Sequence, residues 1–150
     1  MENSSFMQQI RRNLLALLSL LVALTALSYN TWRNESSEKH RNIRAAEFEM
    51  LKELSELQQT IDYAYLRQDL QHGDLARGLG LVLFIHDLAE LTPEPVAVSA
   101  DALLKAWNLD SEKLTSSKDA GAALSEQVLN TRRAVLESLR GLKSEQALRG

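Results

Sequence analysis

Apolar and polar residues are distributed along this chain in two quite different ways. From Asn13 to Tyr29 seventeen residues pass without a charge, nine of them Leu or Val, directly after the pair Arg11-Arg12. Adding Asn30, Thr31 and Trp32 extends the stretch to twenty residues before Arg33. At the rise of an α-helix this is about 30 Å, the thickness of a bilayer's hydrocarbon core. Tyr29 and Trp32 stand where interfacial aromatics belong, and Arg11, Arg12 and Arg33 could snorkel from the two ends. The pattern predicts a single transmembrane helix over 13–32, after a tail at 1–12.

Beyond Trp32 the apolar residues become periodic. Ile43, Met50, Leu54, Leu57, Ile61 and Ala64 recur at alternating spacings of three and four, with Glu47 breaking the seam. Charged residues fill the other faces, and i,i+4 partners such as Glu35–Lys39 and Glu49–Glu53 are mixed in sign. This predicts one long helix from Trp32 to His72, stopped by Gly73-Asp74, with Asp74 as the next N-cap. A second helix, Leu75 to Leu91, is apolar nearly all round at Leu79, Leu81, Val82, Leu83, Phe84, Ile85 and Leu88. Its apolar run is too short to span a bilayer, so it reads as a buried bundle helix; a strand over 81–85 is the alternative.

Thr92-Pro93-Glu94-Pro95 predicts a stiff extended link, because proline stops a helix and biases the residue before it. Ser99 is then expected to cap a short helix through Asn108, with Leu103, Leu104 and Trp107 on one side. A polar connector, Asp110 to Ser117, precedes a last helix from about Asp119 to Leu142. That helix places Leu124, Val128, Val135, Leu139 and Leu142 on a shared face. The fold class expected is all-α: one N-terminal transmembrane helix continuous with a small antiparallel helical bundle. Its divisions are a stalk at 33–47, a bundle domain at 48–143 and a C-terminal tail at 144–150.

Composition narrows the function classes. The 150 residues carry a net charge of −3 with acids and bases interspersed, so no nucleic-acid partner is expected. Cysteine is absent, which removes disulfides, thiolate metal sites and a Cys nucleophile. Two prolines, six glycines and 5% aromatics fit a helical chain. A basic start followed by Leu14–Leu27 also resembles a secretory signal peptide, with Ala26-Leu27-Ser28 as the best cleavage triplet. The length of the apolar run favours an uncleaved anchor. Arg11-Arg12 resembles a twin-arginine signal only faintly, and no cofactor-bearing domain is evident downstream. The flanking positive charges do not settle orientation, whereas a signal-anchor start puts the bulk of the chain outside the cytoplasm.

Two groups of residues are candidates for function. Ala16, Ser19, Ala23 and Ala26 form a stripe of small residues on the transmembrane helix, which would let two such helices approach closely in a parallel homodimer continued through the stalk. Equally, Ala and Ser are common fillers of such helices, and the soluble seam can pack within its own bundle. Asp62, Tyr63, Tyr65, Arg67 and Asp69 make a dense polar-aromatic cluster, a composition found at binding hot spots and anion sites. The plainer account is tyrosines capping the end of a core, with Arg67 paired to Asp69 or a nearby acid.

No catalytic, cofactor or metal site is expected. His72, His86 and His40 invite a metal reading, His86 above all with Asp87 and Glu90, but a hairpin at Gly73-Asp74 puts His86 well away from His72 and no HExxH motif exists. Gly78-Leu79-Gly80 lacks the preceding strand, third glycine and lysine of a phosphate loop, so close helix packing explains it. Arg140 and Lys143 late in the last helix complement its dipole. The function expected is a membrane-anchored accessory or scaffold subunit of an envelope complex, possessing no enzyme activity and contacting an unidentified membrane or envelope protein. It would sit in the bacterial inner membrane with its C-terminal domain outside the cytoplasm. The alternatives are a ligand-sensing extracytoplasmic bundle, or a secreted soluble helical protein after signal cleavage.

Overall fold

A computed structural model describes residues 3–69 and 71–149, with side chains described for 13, 14, 16–69 and 71–144. Every regular element among them is helical: α1 (Asn3–Leu66), α2 (Leu75–Ala89), α3 (Glu94–Asp110), a 3-10 turn at Ser111–Lys113, and α4 (Lys118–Arg149). The strand considered for 81–85 is absent; these residues lie inside α2. The chain divides into two compact units, Met1–Lys39 and His40–Gly150.

In the first unit, the apolar side chains of Leu14, Leu17, Leu21, Leu24 and Leu27 are all exposed on α1. Among the described residues no helix is long and apolar enough to cross a membrane. Leu15, inside the uncharged run, and the expected anchors Arg11 and Arg12 lie outside the described side chains.

The second unit is a four-helix bundle. Its core joins Met50, Leu54, Leu57, Ile61 and Ala64 of α1 to Val82 and Ile85 of α2, Leu103 and Trp107 of α3, and Leu124, Val128 and Val135 of α4. The three-four seam read in α1 is the buried stripe that this period produces on one face of a helix. Ile43 belongs to it as well, at 7% exposure. Interhelical polar contacts set the register of these faces. Gln58 Nε2 donates to Ser125 Oγ at 3.0 Å, Arg132 donates to Ser55 Oγ at 2.9 Å, and Arg77 reaches Glu56 at 3.1 Å.

Several boundaries differ from expectation. The first long helix ends at Leu66 rather than His72. Gln68 adopts a left-handed backbone with φ 50°, and the Asp69 N–H closes back onto the Tyr63 carbonyl at 3.0 Å. The stop at Gly73-Asp74 is real, but it starts α2: the Asp74 carboxylate accepts from the Ala76 N–H at 2.8 Å. Gly73 lies against the backbone of Ala64, so close approach requires a glycine there.

The Pro93–Pro95 segment is not an extended link. Pro93 is extended, as the N-cap, and α3 begins at Glu94. Pro95 falls in the first turn, where a helical N–H has no intrahelical acceptor and proline costs little. Ser99 therefore lies inside the helix, its hydroxyl bonded back to the Pro95 carbonyl at 3.0 Å instead of capping. The connector at 110–117 contains the 3-10 turn, anchored by buried Leu114, and Ser117 caps α4 through the Ala120 N–H at 3.3 Å. Helix α4 continues past Leu142 to Arg149.

The largest correction concerns α2, expected to be buried all round. Leu81, Val82 and Ile85 face the core, but Leu79, Leu83 and Phe84 are 37–45% exposed. The helices packed on α2 cover only one of its sides, and its apolar sequence does not reveal which side that is.

Candidate functional site

The five residues of the polar-aromatic cluster do not converge on one point. Asp62 accepts from Gln58 Nε2 at 2.9 Å, within the contact to Ser125. Tyr65 turns toward α4, where a Cβ on Gly121 would come 2.6 Å from its Cγ. Tyr63, Arg67 and Asp69 instead organise the chain reversal after α1. The Arg67 guanidinium lies 4.9 Å from the centre of the Tyr63 ring, a cation–π contact in place of the expected pairing with Asp69. Asp69 binds His72 Nδ1 at 2.7 Å and accepts the backbone N–H groups of Gln71 and His72 at 3.1 and 3.3 Å. These bonds, led by that of His72, hold the Asp69 carboxyl below its ordinary range. The His72 ring in turn lies 5.2 Å from that of Tyr63. His72 completes this local set, and its position after the helix end concealed that from a helical reading of the sequence.

On α1, Ala16, Ser19, Ala23 and Ala26 are all exposed. Ala26 shares a shallow groove with Leu21, Val22, Thr25 and Tyr29. The hydroxyls of Thr25 and Thr31 donate to the carbonyls of Leu21 and Leu27 at 2.7 and 3.0 Å. Such back-bonding hides the polar group against its own helix. Tyr29 and Trp32 form a tilted aromatic pair with centroids 6.2 Å apart.

A third place combines a cavity with a buried carboxyl. Glu47, the residue that interrupts the apolar seam, is fully buried, and neither carboxylate oxygen has a hydrogen-bond partner. Burial pushes its carboxyl above the ordinary range, while Ser138 and the charge of Arg44 pull weakly the other way. Ser138 thus stands close to the carboxyl without the geometry of a hydrogen bond. It also lines a cavity of about 550 Å³ between the start of α3 and the later turns of α4. The walls are Pro93, Pro95 and Ser99 on one side and Ala134, Glu137, Ser138, Gly141 and Leu142 on the other. The signal in the sequence was the single charge in an otherwise apolar seam. Its neighbours come from residues ninety positions away and could not be read from it.

Among the described residues no group of His, Asp and Glu is arranged to hold a metal ion. His86 Nδ1 reaches only its neighbour Asp87, at 4.0 Å. No protein-family model, curated protein or solved structure matches the chain.

Proposed function

We propose that the protein is a single-pass membrane protein, anchored by residues 13–32, whose helical bundle acts through contacts with other proteins as an accessory or scaffold subunit of an envelope complex. The observation that carries this is the uncharged run itself, twenty residues when Leu15 is counted, whose described apolar side chains find no cover in their own unit. An exposed apolar surface of that extent needs a lipid or protein environment. Back-bonded threonines and the Tyr29–Trp32 pair support a lipid one, where unsatisfied hydroxyls are costly and aromatic rings gather at the interface. The stripe of Ala16, Ser19, Ala23 and Ala26, exposed along one face, supports helix pairing as the means of self-association.

The soluble unit supports a contact role rather than chemistry. Its polar clusters are mutually satisfied at the surface, and α2 presents Leu79, Leu83 and Phe84 outward. Patches of that kind mark interaction surfaces.

The test combines extraction, cleavage and topology. A Thr115→Cys variant puts one thiol on an exposed position in a chain without cysteine. Resistance to alkaline extraction, full-length mass and labelling by an impermeant maleimide in intact cells are the expected results. Alkaline extraction of a full-length chain would remove the anchor. Loss of the first 28 residues would convert the protein into a secreted one, and labelling only after lysis would reverse its orientation.

A further inference from the structure

We propose that the cavity between α3 and α4 is a binding site for a small organic cation, a protonated amine on an apolar body, with Glu137 at the wall and Glu47 behind Ser138 supplying the negative charge.

Three independent features meet there. The volume, about 550 Å³, lies within the range of small-molecule sites, and Pro93, Pro95 and Leu142 give it apolar walls. Glu47 is the second. A fully buried carboxyl without any hydrogen-bond partner is a costly arrangement, and among the described side chains no other buried polar atom lacks one. Ser138 both lines the cavity and stands next to that carboxyl, which links the two.

Gly141 is the third. A glycine inside a helix costs about 1 kcal/mol relative to alanine. Of the other helical glycines, Gly78 and Gly121 offset that cost by admitting Trp107 and Tyr65, whereas Gly80, exposed on α2, lies outside the cavity. A Cβ on Gly141 would meet nothing within 4 Å, so packing within the bundle does not require the glycine. Its bare backbone instead deepens the cavity at the wall that carries Glu137 and Ser138. Polarity decides the ligand class: the ionisable side chain in the lining is acidic, and the unpaired group behind it is a second carboxyl. A cation near both would gain charge-assisted contacts that an alcohol or a carboxylate of the same shape could not.

The experiment uses the full chain in phosphatidylcholine nanodiscs, with 4-fluorobenzylammonium as probe and fluorine NMR linewidth as readout. Empty nanodiscs correct for partition into lipid. The expected result is saturable binding with Kd on the order of 1 mM, the strength of a fragment-sized ligand. 4-Fluorobenzyl alcohol and 4-fluorobenzoate should bind about tenfold more weakly. Glu47→Gln should weaken the ammonium probe by a similar factor while leaving the alcohol unchanged. Gly141→Phe should abolish binding of every probe, with helicity retained because a Cβ at that position meets nothing within 4 Å. No saturable signal above empty nanodiscs overturns the site. Equal binding of alcohol and ammonium overturns the ligand class, and binding that survives Gly141→Phe in a folded protein overturns the location.

Discussion

The indole of Trp107 fills the space that a side chain on Gly78 would need. Two residues along the same helix, a Cβ on Gly80 would meet nothing within 4 Å. Alanine substitutions at these two glycines are therefore expected to have opposite signs. Gly80→Ala should stabilise the bundle by about 1 kcal/mol through helix propensity alone. Gly78→Ala must displace a buried ring and should destabilise by roughly 1–3 kcal/mol despite the same gain in propensity. Thermal unfolding followed by circular dichroism gives both values; two shifts of equal sign would contradict the placement of α2 on Trp107.

Glu47 makes stability depend on pH in a direction opposite to that of most carboxylates. Its folded-state carboxyl titrates above 4.5, so the native chain holds a proton that the unfolded chain has released. The stabilising contribution is complete below pH 4.5 and is lost as pH rises through the folded value. Urea midpoints should accordingly fall for the wild type between pH 4.5 and neutrality relative to Glu47→Gln, which lacks the titration. Glu47→Leu, which restores the apolar seam, should exceed the wild type in stability at pH 7 by about 1–4 kcal/mol. Parallel pH curves for wild type and Glu47→Gln would show that the carboxyl is not buried as described.

Leu54 is fully buried at the centre of the seam. Leu54→Ala should cost about 2–5 kcal/mol, the range for emptying a core leucine site, and Leu54→Asp should unfold the bundle. Unchanged helicity and melting of Leu54→Asp would remove the seam from the core.

Ala23 tests the pairing of anchor helices. If small residues bring two copies together, Ala23→Leu should lower self-association in a membrane two-hybrid assay several-fold, whereas Leu17→Ala on another face should leave it unchanged. Equal signals from wild type and Ala23→Leu would remove the dimer through this helix.

Much of the architecture follows from local rules that act within a few residues. The three-four spacing of Met50, Leu54, Leu57 and Ile61 required a helix with one buried face, because side chains at that spacing share a face wherever the helix lies. Asp74 identified its own cap, since the capping bond reaches only to Ala76. The same local rules misplaced the start of α3, where Pro95 was read as a breaker although its first-turn position makes it harmless. They also overran the end of α1, because nothing in the residue type of Gln68 announces a left-handed backbone.

The remainder was decided by neighbours distant in the chain. Helix α2 carries apolar residues on nearly every side, so only the position of Trp107 and the α1 seam determines that Val82 and Ile85 are covered while Leu83 and Phe84 are not. The polar cluster at 62–69 is compact in sequence, but three dimensions divide it: Tyr65 goes to Gly121, Asp62 to the Ser125 contact, and Tyr63, Arg67 and Asp69 to the turn. Glu47 shows the same division most plainly. Sequence alone marked it as the exception in an apolar stripe. Folding α4 against it placed Ser138 beside its carboxyl and excluded water, which is what turned an irregularity of pattern into a buried carboxyl without a hydrogen-bond partner next to a cavity.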